Sequence, residues 1–271
     1  MMGGNGKPIR KKRIRIPTEG GSIRGVLLTP DRPGPRAGLL WIHGGGYATG
    51  TASMVYFSRG MELCRRLGLV VLSPGYRLSW QAPYPAALED CYAALLWMHR
   101  HASALGIDRI FVGGESAGGG LAAALCMLTL DRGEVKIDGQ FPLYPMLDCE
   151  DTESSRDNHG HVWNTRRNHA AWRLYLRSVD PVPAYASPAK REDLSGLPPC
   201  YSFVCDGEPF YCETLTYVRR LREAGIEAEV DVYPGKTHAF DLLLPHLPKS
   251  KKAREKLVEQ VRKVLNAGET G

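Results

Sequence analysis

The feature that most restricts this chain is a series of short apolar runs, each closed by turn residues and separated from the next by a helical stretch. GLLWIH (38–43), LGLVVLSP (67–74), RIFVGG (109–114), GQFPLYP (139–145), PCYSFVC (199–205) and EAEVDVYP (227–234) are brief, unbroken and rich in β-branched or aromatic residues. A strand with one wet face would alternate, so such runs read as strands buried on both faces. Helical patterns occupy 53–67, 85–104, 116–130, 212–224 and 250–266. In the last of these, Leu257, Val258, Val261, Val264 and Leu265 mark one face, with lysines and arginines opposite. Strands alternating with helices need crossover connections, which predicts a mainly parallel sheet in an α/β domain. Ahead of the series, KRIRI (12–16) and parts of 22–28 alternate around the turn TEGG, which predicts an opening antiparallel pair.

One segment breaks the rhythm. Residues 149–185 are polar at first and then helical around Ala170–Leu176. An insertion this long between sheet strands is uncommon unless it covers a site, so the expectation is a small helical cap. Nothing else divides the chain. It has no repeat and no linker rich in Gly, Ser or Pro, and its 271 residues fit one domain over 1–271.

Composition excludes more than it identifies. No apolar stretch approaches the roughly eighteen residues of a membrane span. The opening MMGGNGKPIRKKRIRIP is basic but has no hydrophobic region of the kind a secretory signal needs. Seven cysteines form no CxxC pair, and their odd count and scattered spacing argue against a disulfide framework. A cytoplasmic location with reduced thiols is the simplest reading. Cys200, Cys205 and Cys212 cluster, yet their spacings match no common zinc site, so no metal is expected. The net charge of +6 sits largely in short runs near the two ends, which are solvated more often than bound to nucleic acid. No nucleic-acid or membrane partner is expected.

The chemistry starts at GGESAGGG (113–120), one serine among five glycines directly after IFV. Gly114-x-Ser116-x-Gly118 falls between a strand and a helix, where a nucleophile is held at a sharp turn and side chains on the flanking positions would collide with their neighbours. The following helix turns its N-terminal amides towards the charge that forms during attack. HGGG (43–46) ends the strand LLWIH, and three glycines let amides point inward without a Cβ in the way. Gly44 and Gly45, with Ala117 after the serine, are the candidate oxyanion donors, worth roughly 3–4 kcal/mol each where charge develops. Of eight histidines, His238 in YPGKTHAF follows the strand EAEVDVYP, where open α/β sheets assemble their sites. Asp206, Glu208 and Glu213 after PCYSFVC can each supply the carboxylate, and the chain order Ser, acid, His is that of an α/β-hydrolase.

HGGGYATG (43–50), YRLSWQAPYPAALEDCYAALLWM (76–98), GGESAGGGLAAAL (113–125), YASPAKREDLSGLPPCY (185–201), EPFYCETLTYVRRLREAG (208–225) and YPGKTHAF (233–240) together resemble the hormone-sensitive-lipase-type α/β-hydrolases, the bacterial carboxylesterase and acetylesterase group. The resemblance implies an α/β-hydrolase fold with a small helical cap and a serine esterase acting on short-acyl carboxylic esters without a cofactor. In that family the acid opens Asp-Pro-Leu-x-Asp-Glu about thirty residues before the histidine; here Glu208-Pro209-Phe210-Tyr211-Cys212-Glu213 stands there, so the resemblance assigns Glu208 in place of the usual aspartate. Relatives also carry cap helices ahead of the first strand. This chain is strand-like by about residue 12, which predicts a more open pocket. Tyr76-Arg77-Leu78 and Glu89-Asp90 match the family and are expected to be structural.

Other readings compete. GGGLAA (118–123) satisfies GxGxxA with Asp138 twenty positions on, but begins too late after the strand, so its glycines fall inside the helix. A non-catalytic small-molecule receptor would be expected to lose a triad member, whereas Ser116 and His238 are both present. A peptidase or amidase would use the same machinery. The edge of such a sheet could pair in a homodimer.

Overall fold

Eight strands form one sheet in the order β1-β2-β4-β3-β5-β6-β7-β8. The structure is a computed structural model and describes residues 8–31 and 36–267, so the first seven residues of the basic opening stretch lie outside it. β1 (Ile9–Thr18) and β2 (Gly21–Pro30) are the expected antiparallel pair. β2 also runs antiparallel to β4 (Val70–Gly75), and β3 (Arg36–Ile42), β5 (Ile107–Glu115), β6 (Gly139–Leu143), β7 (Cys200–Cys205) and β8 (Ala228–Tyr233) continue in parallel from β4. This is the α/β-hydrolase fold.

The unbroken apolar runs are explained by helices on both faces. Leu40 and Ile42 face one cluster, with α2 (Ala86–Arg100), α4 (Ala117–Arg132) and α6 (Tyr211–Glu223). Leu39 and Trp41 face the other, with α1 (Arg59–Leu67) and α8 (Pro248–Asn266). All four strand residues are fully buried, each worth about 1.5–3 kcal/mol by transfer. α4 is buried on every side from Ala117 to Thr129, which is why AGGGLAAALCMLT shows no polar face. Gly133, at φ 67°, ends it.

Two helical stretches are interrupted. Residues 52–57 form a 3₁₀ turn, and α1 starts afresh at Arg59 because the Ser58 hydroxyl accepts the Gly60 N–H at 3.0 Å. The 85–104 stretch breaks after Arg100, leaving the one-turn α3 (Ala102–Leu105). In the 149–185 segment, Asn164 caps α5 (Thr165–Tyr175) by accepting the Arg167 N–H at 3.1 Å. Tyr47, just beyond the glycines after β3, stacks on Tyr175 of α5 at 4.0 Å. That contact ties the segment to the C-terminal end of the parallel strands.

Candidate active site

β5 ends at Glu115 and α4 begins at Ala117, leaving Ser116 alone in the turn at φ 57°, ψ −122°. A non-glycine residue held there costs about 1–3 kcal/mol, so the surroundings must fix it. Its N–H donates to the Leu143 carbonyl at 3.0 Å, and its own carbonyl accepts from Gly120 and Met146 at 3.0 and 3.1 Å. The two flanking glycines have the steric role the motif requires. A Cβ on Gly114 would lie 2.5 Å from the Gly118 carbonyl oxygen, and one on Gly118 would lie 2.2 Å from that of Ile42. Either would push β3, β5 and α4 apart.

The loops after β7 and β8 meet at this turn. His238 Nε2 lies 2.8 Å from Ser116 Oγ, and the other ring nitrogen, Nδ1, is hydrogen-bonded to Glu208 Oε2. With the serine hydroxyl donating to Nε2, Nδ1 carries the proton and donates to the carboxylate. Glu208 Oε1 accepts the Cys205 N–H at 2.8 Å, so both carboxylate oxygens are used. Tyr144 and Phe210 each present an edge to the imidazole with ring centres 5.1 Å away. The other two candidate acids are placed elsewhere. Asp206 is exposed and accepts the Gly235 N–H at 2.8 Å, whereas Glu213 accepts the N–H groups of Leu147 and Asp148.

HGGG folds back over Ser116. A Cβ on Gly44 would lie 3.2 Å from the Ser116 Cβ, so the loop passes directly beside it. Gly45, at φ 116°, turns its carbonyl to the N–H groups of Ala48 and Thr49. The N–H groups of Gly44, Gly45 and Ala117 have no protein acceptor among the described residues. His43 anchors the loop from below. Its Nδ1 hydrogen-bonds the Gly44 carbonyl at 2.8 Å, its ring stacks on Tyr76 at 4.2 Å, and Tyr76 Oη donates to the His43 carbonyl at 3.0 Å. Burial pushes the imidazole down to about 4, which keeps it neutral. Arg77 and Asp90, two residues of the family match, form an ion pair at 2.8 Å.

The sequence predicts a more open pocket; the two central side chains are themselves nearly covered. Ser116 is 6% exposed and His238 4%. Trp163, from the 149–185 segment, fills the space above Gly46, where a Cβ would meet its ring at 2.2 Å. Its ring centre lies 6.4 Å from that of His238. The polar opening of the segment hid this residue in the sequence.

Sequence reasoning also missed a buried charge cluster behind Ser116. Glu115 accepts the Trp41 Nε1–H at 2.8 Å and the Arg59 N–H at 3.2 Å. The Arg59 guanidinium lies 3.1 Å from Asp241, and Tyr144 Oη donates to Asp241 at 2.9 Å. Burial, with Asp241 nearby, pushes the Glu115 carboxyl up to about 8. The available signal was a glutamate and an aspartate inside otherwise apolar stretches, one next to Ser116 and the other three residues after His238.

This fold, with the loops converging on the turn at Ser116, is that of an α/β-hydrolase. The family model described as alpha/beta hydrolase fold matches residues 39–242, and the chain belongs to that family, in its hormone-sensitive-lipase-type branch. Carboxylic ester hydrolase LipN of Mycobacterium tuberculosis is 34% identical over 84% of this chain and 63% of its own length. Ethyl acetate hydrolase of Pseudomonas putida is 31% identical over 75% of this chain and 66% of its own. The chain thus spans just under two thirds of these two relatives. Among solved structures, a bacterial heroin esterase superposes with a TM-score of 0.90 at 34% identity, covering 97% of this chain and 86% of that one. An esterase from the archaeon Pyrobaculum calidifontis gives 0.85 at 32%, covering 96% and 87%.

Proposed function

We propose that this chain is a serine carboxylesterase that hydrolyses short-acyl carboxylic esters through an acyl-enzyme. The observation that carries the reading is the 2.8 Å contact between Ser116 Oγ and His238 Nε2 at a strained strand-to-helix turn. His238 takes the serine proton as Oγ attacks the ester carbonyl, and the bond to the alcohol oxygen breaks as His238 returns that proton to it. Water then attacks the acyl group by the same route and restores the serine. Glu208 holds the Nδ1–H and stabilises the imidazolium formed in each step. The amides of Gly44, Gly45 and Ala117 receive the oxyanion. None of these steps calls for a metal or an organic cofactor.

The whole chain, 1–271, acts as one domain in this reading, with 149–185 as its cap. The position of Trp163 over Gly46 and beside His238 supports the cap, and also the short acyl preference, since the ring occupies space a long tail would need. The relatives' names agree, one of them an ethyl acetate hydrolase. A cytoplasmic location fits seven free cysteines. No helix among the described residues is long and apolar enough to cross a membrane.

Ser116→Ala tests the nucleophile. The variant is expected to lose nitrophenyl acetate turnover by about 10⁴-fold or more while keeping its melting temperature. Residual turnover within tenfold of the parent would remove the assignment. For the acyl preference, an acyl-chain series should show butyrate turned over at least about tenfold faster than laurate. The reverse order would overturn it.

A further inference from the structure

Beside the oxyanion loop, at the same end of the sheet, lies a cleft of about 950 Å³ that the reaction leaves unused. Arg13 and Arg15 of β1 and Arg24 of β2 line it, together with the chain from Gly50 to Ser53 and with Trp80. The strand register sets Arg15 directly across from Arg24, and Arg24 across from Gly75, the last residue of β4. Residues facing one another across antiparallel strands project to the same side, and so does Arg13, two places from Arg15. Like charges so placed repel. None of the three guanidiniums has a hydrogen bond or ion pair among the described residues. A fourth arginine in the lining, Arg77, is matched by Asp90, and no aspartate or glutamate lines the cleft.

Protection of an exposed sheet edge accounts for charge on β1, the outermost strand. It does not call for Arg24, which lies one strand further in and faces Arg15. Trp80 is equally unexplained by folding, since 61% of it is exposed whereas Trp41 and Trp172 are buried. Guanidiniums bind phosphate and carboxylate oxygens in pairs and stack with flat rings, and an exposed indole offers a ring a face.

We propose that this cleft binds a small anion carried on an aromatic or similarly flat group, with phosphate or carboxylate oxygens on Arg13, Arg15 and Arg24 and the ring against Trp80. This does not depend on the esterase reading, because the site would exist whether or not Ser116 acts as a nucleophile. The ligand's anion can belong to the ester substrate itself or to a separate molecule seated beside the catalytic loop.

Phenyl phosphate is the probe, titrated into the full-length protein at low salt and followed by calorimetry and by indole fluorescence. Saturable binding with a Kd below about 1 mM is expected. Arg15→Gln combined with Arg24→Gln should weaken it at least about tenfold, and Trp80→Leu should weaken it and abolish the fluorescence change. Inorganic phosphate should bind more weakly than phenyl phosphate. Melting temperatures equal to the parent's establish that both variants fold, and single Arg24→Gln serves if the double variant does not. Competitive inhibition of nitrophenyl acetate turnover assigns the anion to the substrate; noncompetitive inhibition assigns it to a separate ligand. Absence of saturable binding, or an affinity unchanged in the folded arginine variants, overturns the proposal.

Discussion

Two buried glutamates flank Ser116 and His238, and their surroundings set them opposite tasks. Glu208, on the loop after β7, accepts one hydrogen bond from a main-chain N–H and one from the imidazole. Glu115, at the end of β5, also accepts two, from Trp41 and from the Arg59 main chain, but neither partner moves a proton in the reaction. The Arg59 guanidinium pairs instead with nearby Asp241 at 3.1 Å, and that carboxyl too is pushed up by burial. On the proposed mechanism, the difference teaches that position next to Ser116 does not make a carboxylate part of the chemistry. What matters is whether its partner is the group that gains charge.

The contrast breaks first at Glu208. In Glu208→Gln a single oxygen remains where two acceptors are needed. If it keeps the Cys205 N–H, the amide NH₂ faces His238 Nδ1 and forces the ring proton onto Nε2, where it can no longer accept from Ser116. A loss of about 10³–10⁴ in kcat is expected, read with nitrophenyl acetate, with little change in KM. A loss below tenfold would take Glu208 out of the triad.

Glu115→Gln sharpens the comparison through pH. Glu115 is raised from 4.5 to about 8 in the fold, so the folded state holds its proton more tightly than the unfolded chain does. That contribution to stability is fully present below pH 4.5 and is lost as pH rises to about 8. Around pH 5 the variant should be less stable by about 1–3 kcal/mol, because one of two buried donors is left unpaired. The gap should close towards pH 8, where the wild-type carboxyl bears its charge cost and the amide bears none. Thermal melts across pH 5–8 read it, and a constant gap would contradict the assignment. Glu62, which pairs with the Arg59 guanidinium, stays in place with Arg59, Asp241 and Tyr144, so kcat should fall less than tenfold.

Much of this arrangement was legible because the local chemistry demanded it. Short apolar runs can be strands only if both faces are covered, and the glycines around Ser116 are needed where a Cβ would strike Ile42 or Gly118. His238 and the HGGG loop followed from their place after strands. Glu208 came only from family resemblance, since spacing could not separate it from Asp206 and Glu213. The Arg59–Asp241–Glu115 cluster was hidden because it joins α1, β5 and the turn of α7 (Phe240–Leu243), and which charges share a buried space is set by packing. The same limit applies to Trp163. Its ring covers Gly46 through a chain path that no periodicity describes.

The smallest expected effect belongs to Asp206, the acid that sequence order favoured equally. It sits two residues from Glu208 in the same loop, yet its side chain is exposed and turned to the Gly235 N–H. That bond joins the loops after β7 and β8, so it steadies the backbone leading to His238 without touching the ring. Asp206→Asn retains an acceptor oxygen for Gly235 and removes only an exposed charge. Turnover should stay within about twofold and stability within about 0.5 kcal/mol. Because both substitutions change a carboxylate to an amide, the ratio of the two kcat losses isolates the contact with His238 from any general effect of charge on the loop. A larger loss at Asp206 than at Glu208 would mean that the loop closes differently in the working enzyme, with the exposed acid turned inward.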